Sequence, residues 1–196
     1  IMPDLRAHGA SEAPQDASAY PMDVLVRDIR HLIAHYGLEE FEHGFDLGGF
    51  SLGARTTARL LAEGVKPRRA ILAGMGLEGL TGWNRRSAFF LRVIDRFDDA
   101  KRGEPEWMAI QFMKTTGMDK VAAAHLLRSV PDTAIADFGA VETPVLVLCG
   151  ADDRDNGDPA KLAEALPHAT LTLIPGTHMS SVVQGELGDA MVGFLG

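Results

Sequence analysis

With 196 residues, 46% of them hydrophobic, the chain can bury a substantial core, and its length predicts one domain rather than several. Its 27 acidic against 19 basic residues leave a formal charge of -8, and no dense Lys/Arg cluster reverses this locally, which argues against nucleic acid and anionic lipid as partners. The single cysteine, Cys149, excludes an intrachain disulfide and a cysteine-rich metal site, and fits a reducing, cytoplasmic setting.

The chain begins at Ile1 without the charged, apolar and small-residue regions of a signal peptide. Ile1 to Leu5 reads as the last turn of a strand, followed by a polar loop to Pro21. Met22, Leu25, Ile29, Leu32, Ile33 and Tyr36 recur at spacings of three and four, which predicts an amphipathic helix closed by Gly37. Phe45 to Phe50 is a short, apolar, Gly-rich strand ending in a sharp turn, and Leu52 to Ala62 reads as a helix stopped by Gly64.

Arg69 to Met75 is the next strand. A Gly-rich loop through Gly76, Gly79 and Gly82 then leads into three helical stretches, Arg85 to Lys101, Pro105 to Thr116 and Met118 to Val130. Val145 to Cys149 is a buried-type strand, far short of the roughly 20 residues of a membrane-spanning helix. A helix near Asp158 to Leu166, a strand over Ala169 to Ile174 and a helix over Ser180 to Leu195 complete the chain. Gly185, Gly188 and Gly193 weaken that last helix by up to about 1 kcal/mol each.

Strands alternating with helices, and apolar on both faces, predict an α/β fold: a mostly parallel sheet with helices on both sides. The three consecutive helices interrupt this alternation as a helical cap over residues 76–140, inserted into a single domain spanning 1–196.

Gly49-Phe50-Ser51-Leu52-Gly53 has the Gly-x-Ser-x-Gly form and stands between strand and helix. There a serine can be held on a tight turn at the strand's C-terminal end. The helix that starts beside it presents backbone N–H groups and a positive dipole end to a developing oxyanion, with the Leu52 N–H as the expected donor. A serine hydroxyl needs a base, and on this architecture an acid and a histidine follow in chain order. Asp152 and Asp153 stand just past the strand ending at Cys149-Gly150, and His178 stands just past the strand ending at Ile174. In open parallel sheets such strand ends converge on the ligand crevice.

With these motifs the chain resembles an α/β-hydrolase of the esterase, lipase and lactonase type from Pro3 to Leu195. The segment Pro3-Asp4-Leu5-Arg6-Ala7-His8-Gly9 is similar to the family's loop after its fourth strand, with Ala7 where glycine is usual. The resemblance makes Ser51 the nucleophile, His178 the base and Asp153 the acid. Asp153 is preferred because the family's acid commonly stands three residues after the strand-ending glycine, with Asp152 and Asp155 as alternatives. It also implies three earlier strands, one followed by a His-Gly loop carrying the second oxyanion donor. These have no counterpart here, so several tens of residues are expected before Ile1.

The implied function is cleavage of a carboxylic ester, thioester or lactone through an acyl-enzyme on Ser51, without cofactor or metal. The Met- and Phe-rich cap points to a small to medium apolar acyl substrate. Two alternatives are a ligand-binding homologue without turnover, and a carbon–carbon hydrolase or perhydrolase on the same triad. His8 reads as a loop residue, and His31, His35, His43, His125 and His168 as surface or helix-face residues. Cys149 reads as an unreactive core thiol. The acidic run from Asp152 to Asp158 lacks the ligand spacing of a calcium loop. Phe89, Phe90, Phe97, Trp107, Met108, Phe112, Met113 and Met118 mostly pack the cap. Nothing in the sequence fixes the oligomeric state.

Overall fold

The computed structural model describes residues 1–196. It contains helices α1 (Val24–His35), α2 (Leu52–Ala62), α3 (Leu77–Thr81), α4 (Trp83–Asp95), α5 (Trp107–Thr115), α6 (Lys120–Ser129), α7 (Pro159–Ala165), α8 (His178–Ser181) and α9 (Gly185–Leu195). The strands are β1 (Asp46–Phe50), β2 (Arg69–Ala73), β3 (Val145–Gly150) and β4 (Ala169–Ile174). They form one parallel sheet in the order β1-β2-β3-β4. The chain divides into two compact units, Ile1–Asp28 with Trp83–Pro131, and Ile29–Gly82 with Asp132–Gly196.

The second unit holds the sheet. On one face Leu72, Val145 and Val147 pack against Ala54, Ala58 and Leu61 of α2 and Leu162 of α7. On the other, Ile71, Ala73, Leu146, Leu148 and Ile174 meet Leu187, Ala190, Met191, Phe194 and Leu195 of α9. Helices therefore cover both faces, as the apolar strands require. The interior strand β3 is buried along its whole length, whereas Leu171 and Leu173 of the edge strand β4 stay exposed.

In the first unit Val93 of α4, Ile110 and Met113 of α5 and Ala123 of α6 form a separate cluster, with Phe89, Phe97 and Met118 packed around it. Asp119 caps α6 by accepting from the Val121 and Ala122 N–H groups, both at 2.9 Å. Met108 and Phe112 remain exposed.

Five expectations need correction. Ile1–Leu5 forms no strand. Asp4 instead closes the following turn, its carboxylate accepting from the Ala10 N–H (2.8 Å) and its carbonyl from the Ser11 hydroxyl (2.6 Å). Met22 and Tyr36 lie beyond the ends of α1 and are exposed. The loop after β2 contains α3, and α4 ends at Asp95 rather than reaching Lys101.

The C-terminal helix is two helices. Thr177 and Ser180 form a capping box that starts α8 at His178, and Gln184 is extended before α9 begins. Ala7, where the family resemblance expects glycine, has φ +65°, a left-handed conformation in which a Cβ is disfavoured.

Candidate active site

Ser51 connects β1 to α2 at φ +53° and ψ -107°, a backbone conformation rarely tolerated by a residue with a side chain. Two backbone bonds hold it there. Its N–H donates to the Ala73 carbonyl of β2 (2.8 Å), and its carbonyl accepts from the Arg55 N–H (2.9 Å). Gly49 is required by packing, since a Cβ there would lie 2.3 Å from the carbonyl carbon of Gly53. The sequence motif thus becomes a turn that raises the serine hydroxyl off the end of the strand. The Leu52 N–H, first in α2, has no partner within the helix, and the helix dipole adds positive character beside Ser51.

His178 opens α8 and is buried. Its Nδ1–H donates to Asp153 Oδ2 (2.8 Å), because a carboxylate can only accept. That tautomer leaves Nε2 to accept from the Ser51 hydroxyl (3.0 Å). Residues 127 positions apart in sequence are thereby joined in one relay.

The loops that carry acid and base interlock. The Asp152 N–H donates to the Gly176 carbonyl (3.0 Å), and a Cβ on Gly150 would lie 2.2 Å from that same oxygen. Asp153 is 5% exposed, whereas Asp152 and Asp155 face solvent. Asp153 Oδ1 also accepts from the Asp155 N–H (2.9 Å), which fixes the carboxylate rotamer. Of the three candidate acids, Asp153 is the one that meets the imidazole.

Nothing in the sequence singled out Phe50, Arg55 or Asn156. The Phe50 ring lies 4.9 Å from the His178 ring, centroid to centroid, and limits the space into which the imidazole can rotate. Arg55 is buried inside α2 and donates through Nη2 to the Gly79 carbonyl. Asn156, also buried, donates from Nδ2 to the Gly74 carbonyl (2.7 Å). Phe50 could have been flagged as the residue preceding the serine; the other two make contacts that no local pattern encodes.

His8 lies in its loop with Nδ1 3.0 Å from the Arg6 carbonyl. Cys149 is buried, its thiol donating to the Met75 carbonyl (3.4 Å), and burial pushes its pKa up to about 11. No group of three His, Cys, Asp or Glu side chains is placed to hold a metal ion. No helix is long and apolar enough to cross a membrane.

The sequence profile of the alpha/beta hydrolase family matches residues 1–187. No curated protein matches the chain. Among solved structures, a thermophilic esterase from Thermogutta terrifontis is 22% identical, with a TM-score of 0.68 over 98% of this chain and 78% of that one. The enol-lactonase from Burkholderia xenovorans LB400 is 20% identical, with a TM-score of 0.65 over 97% of this chain and 76% of that one. A bromoperoxidase from Bacillus anthracis is 20% identical, with a TM-score of 0.65 over 97% and 79%. At these identities the likeness establishes the shared fold.

Proposed function

The chain belongs to the alpha/beta hydrolase family, and we propose that it is a serine hydrolase cleaving a carboxylic ester, thioester or lactone through an acyl-enzyme on Ser51. The observation that carries this reading is the continuous relay from the Ser51 hydroxyl through His178 to Asp153, with bonds of 3.0 and 2.8 Å.

As the Ser51 oxygen attacks the substrate carbonyl, Nε2 of His178 takes its proton, and Asp153 stabilises the imidazolium and holds the ring in place. The carbonyl oxygen gathers negative charge beside the Leu52 N–H at the start of α2. Collapse of the tetrahedral intermediate expels the alcohol, thiol or ring oxygen, which receives the proton from His178. Water, deprotonated by the same imidazole, then attacks the acyl-enzyme, releases the acid and restores the serine. None of these steps draws on a cofactor. We take the substrate to be a small to medium apolar acyl compound, on the composition of the cap segment 76–140, and place the protein in the cytoplasm on the strength of its single thiol.

The test is incubation of the chain with a fluorophosphonate probe and a series of p-nitrophenyl acyl esters. Labelling at Ser51, and ester turnover that Ser51→Ala abolishes, are expected. Turnover that survives Ser51→Ala would overturn the reading. Cleavage of a vinylogous diketone but of no ester would favour carbon–carbon hydrolysis on the same residues.

A further inference from the structure

The two loops that follow β2 and β3 are locked together by a set of buried contacts that the hydrolytic steps do not use. Asn156 lies three residues beyond Asp153 and is 4% exposed. Its side-chain amide donates to the Gly74 carbonyl (2.7 Å), and its own carbonyl accepts from the Gly79 N–H (2.7 Å). Gly79 leaves no room for a side chain, since a Cβ there would lie 2.7 Å from the Asn156 carbonyl oxygen. The Gly74 end of this contact is one residue from the nucleophile's own anchor, because the Ala73 carbonyl accepts the Ser51 N–H (2.8 Å). Gly74 in turn donates to the Leu148 carbonyl of β3 (2.8 Å), tying it to the strand that leads into Asp153.

We propose that Asn156 is a positioning residue for the Ser51, His178 and Asp153 relay: its amide fastens the acid-bearing loop to the strand end that holds the nucleophile. The inference rests on the reading of that relay as catalytic. Three short segments form a closed circuit. Asp153 reaches Asn156 along the chain, Asn156 reaches Gly74 through its amide, and Ala73 reaches Ser51 through its carbonyl. Proton transfer from serine to histidine tolerates little error in distance. The two relay bonds do not set the separation of Asp153 and Ser51 by themselves, because the imidazole between them can tilt. A rigid connection through the Gly74 carbonyl fixes that separation independently of the ring. An amide suits the task, since it donates to a buried carbonyl without placing a second charge near Asp153.

A second attachment of the same loop serves as a control. Glu78 accepts from the Asp158 N–H (2.8 Å) and pairs with Lys161 (2.9 Å), but does so further along the chain from Asp153 and at the surface. Its loss should loosen the fold without moving the acid.

The test follows saturation kinetics of fluorophosphonate labelling with the full chain. This reaction uses the same base and orienting carboxylate as ester attack and requires no knowledge of the natural substrate. Wild type, Asn156→Ala, Asn156→Leu and Glu78→Gln are compared at one neutral pH, with Tm recorded for each. Asn156→Ala removes the donor without adding a charge or a larger group, so a result is obtained even if the leucine variant does not fold. The maximal labelling rate should fall roughly 10- to 100-fold in the Asn156 variants, with little change in half-saturating probe concentration. Glu78→Gln should lower Tm and leave the maximal labelling rate within about twofold of wild type. A maximal rate in the Asn156 variants within about twofold of wild type, or a comparable fall in Glu78→Gln, would overturn the positioning role. Absence of Ser51 labelling in the wild-type chain is a different result: it would overturn the reading of the site itself, and this inference with it.

Discussion

Gly49 and Gly53 meet across the Ser51 turn so closely that a Cβ on Gly49 would lie 2.3 Å from the Gly53 carbonyl carbon and 2.6 Å from its oxygen. The obstacle is backbone, which cannot swing aside as a side chain can. Gly49→Ala must therefore push α2 away from β1 or distort the turn, and either response moves the Ser51 hydroxyl. The expected cost is about 1–3 kcal/mol of stability with a loss of most Ser51 labelling, read by thermal denaturation and probe incorporation. At Gly53 no side-chain or strand atom lies within 4 Å of the corresponding Cβ. Gly53→Ala should accordingly be much milder, and equal damage at both positions would contradict this account.

The separation of Asp153 from its acidic neighbours predicts a sharp contrast among three substitutions. Asp153→Asn presents an amide to His178 Nδ1 and favours the wrong imidazole tautomer, so ester turnover should fall roughly 10³- to 10⁴-fold. Asp152→Asn and Asp155→Asn change exposed side chains and should stay within a few-fold of wild type, although Asp155 also lends its N–H to Asp153. Steady-state kinetics on one p-nitrophenyl ester distinguishes them. A comparable loss in Asp152→Asn would transfer the acid role to that residue.

Much of this arrangement was legible because its signals are local. The strand, turn and helix around Ser51 follow from apolar runs, glycines and a helical period, and β3 and β4 are continuous apolar stretches bounded by turn residues. What stayed hidden depends on contacts distant in sequence. The spacing from Gly150 favoured Asp153 through the family resemblance alone, and burial together with the reach to His178 separates it from Asp152 and Asp155. Helix α3 was concealed because Gly76 and Gly79 read as loop, whereas each is glycine because the loop after β3 presses against it. Ile1–Leu5 joins no strand, and Asp4 there accepts from the Ala10 N–H and the Ser11 hydroxyl, contacts that no local pattern announces.

Cys149 provides a check on the core. Burial raises its pKa to about 11, and its thiol donates to the Met75 carbonyl, so almost no thiolate exists at neutral pH. Native protein should consume no thiol reagent at about pH 8 over minutes, and one equivalent after unfolding in guanidinium. Fast modification of the folded chain would mean that the end of β3 opens readily. Such opening would also disturb Gly150 and the Asp153 loop that follows it.

The acid stability of the sheet should depend on a carboxylate far from the chemistry. Asp46, at the start of β1, accepts from Arg68 (2.6 Å) and from Arg69 (3.2 Å), and Arg69 also donates to the Phe194 carbonyl near the end of α9 (3.1 Å). The Arg68 hydrogen bond, chiefly, holds the Asp46 carboxyl down at about 2 against an ordinary value of 3.8, with Arg69 adding to the effect. A carboxylate depressed in the folded state binds its proton more readily when the chain unfolds. Its stabilisation is therefore fully present above about pH 4 and is lost as pH falls toward about 2. Solvent screening limits the contribution to about 1 kcal/mol. Asp46→Asn should lower Tm at neutral pH and make the decline between about pH 4 and about pH 2 shallower than in wild type. Parallel Tm curves for the two proteins would show that the pair adds nothing to folding, and that β1 is held at this end by its ladder with β2 alone.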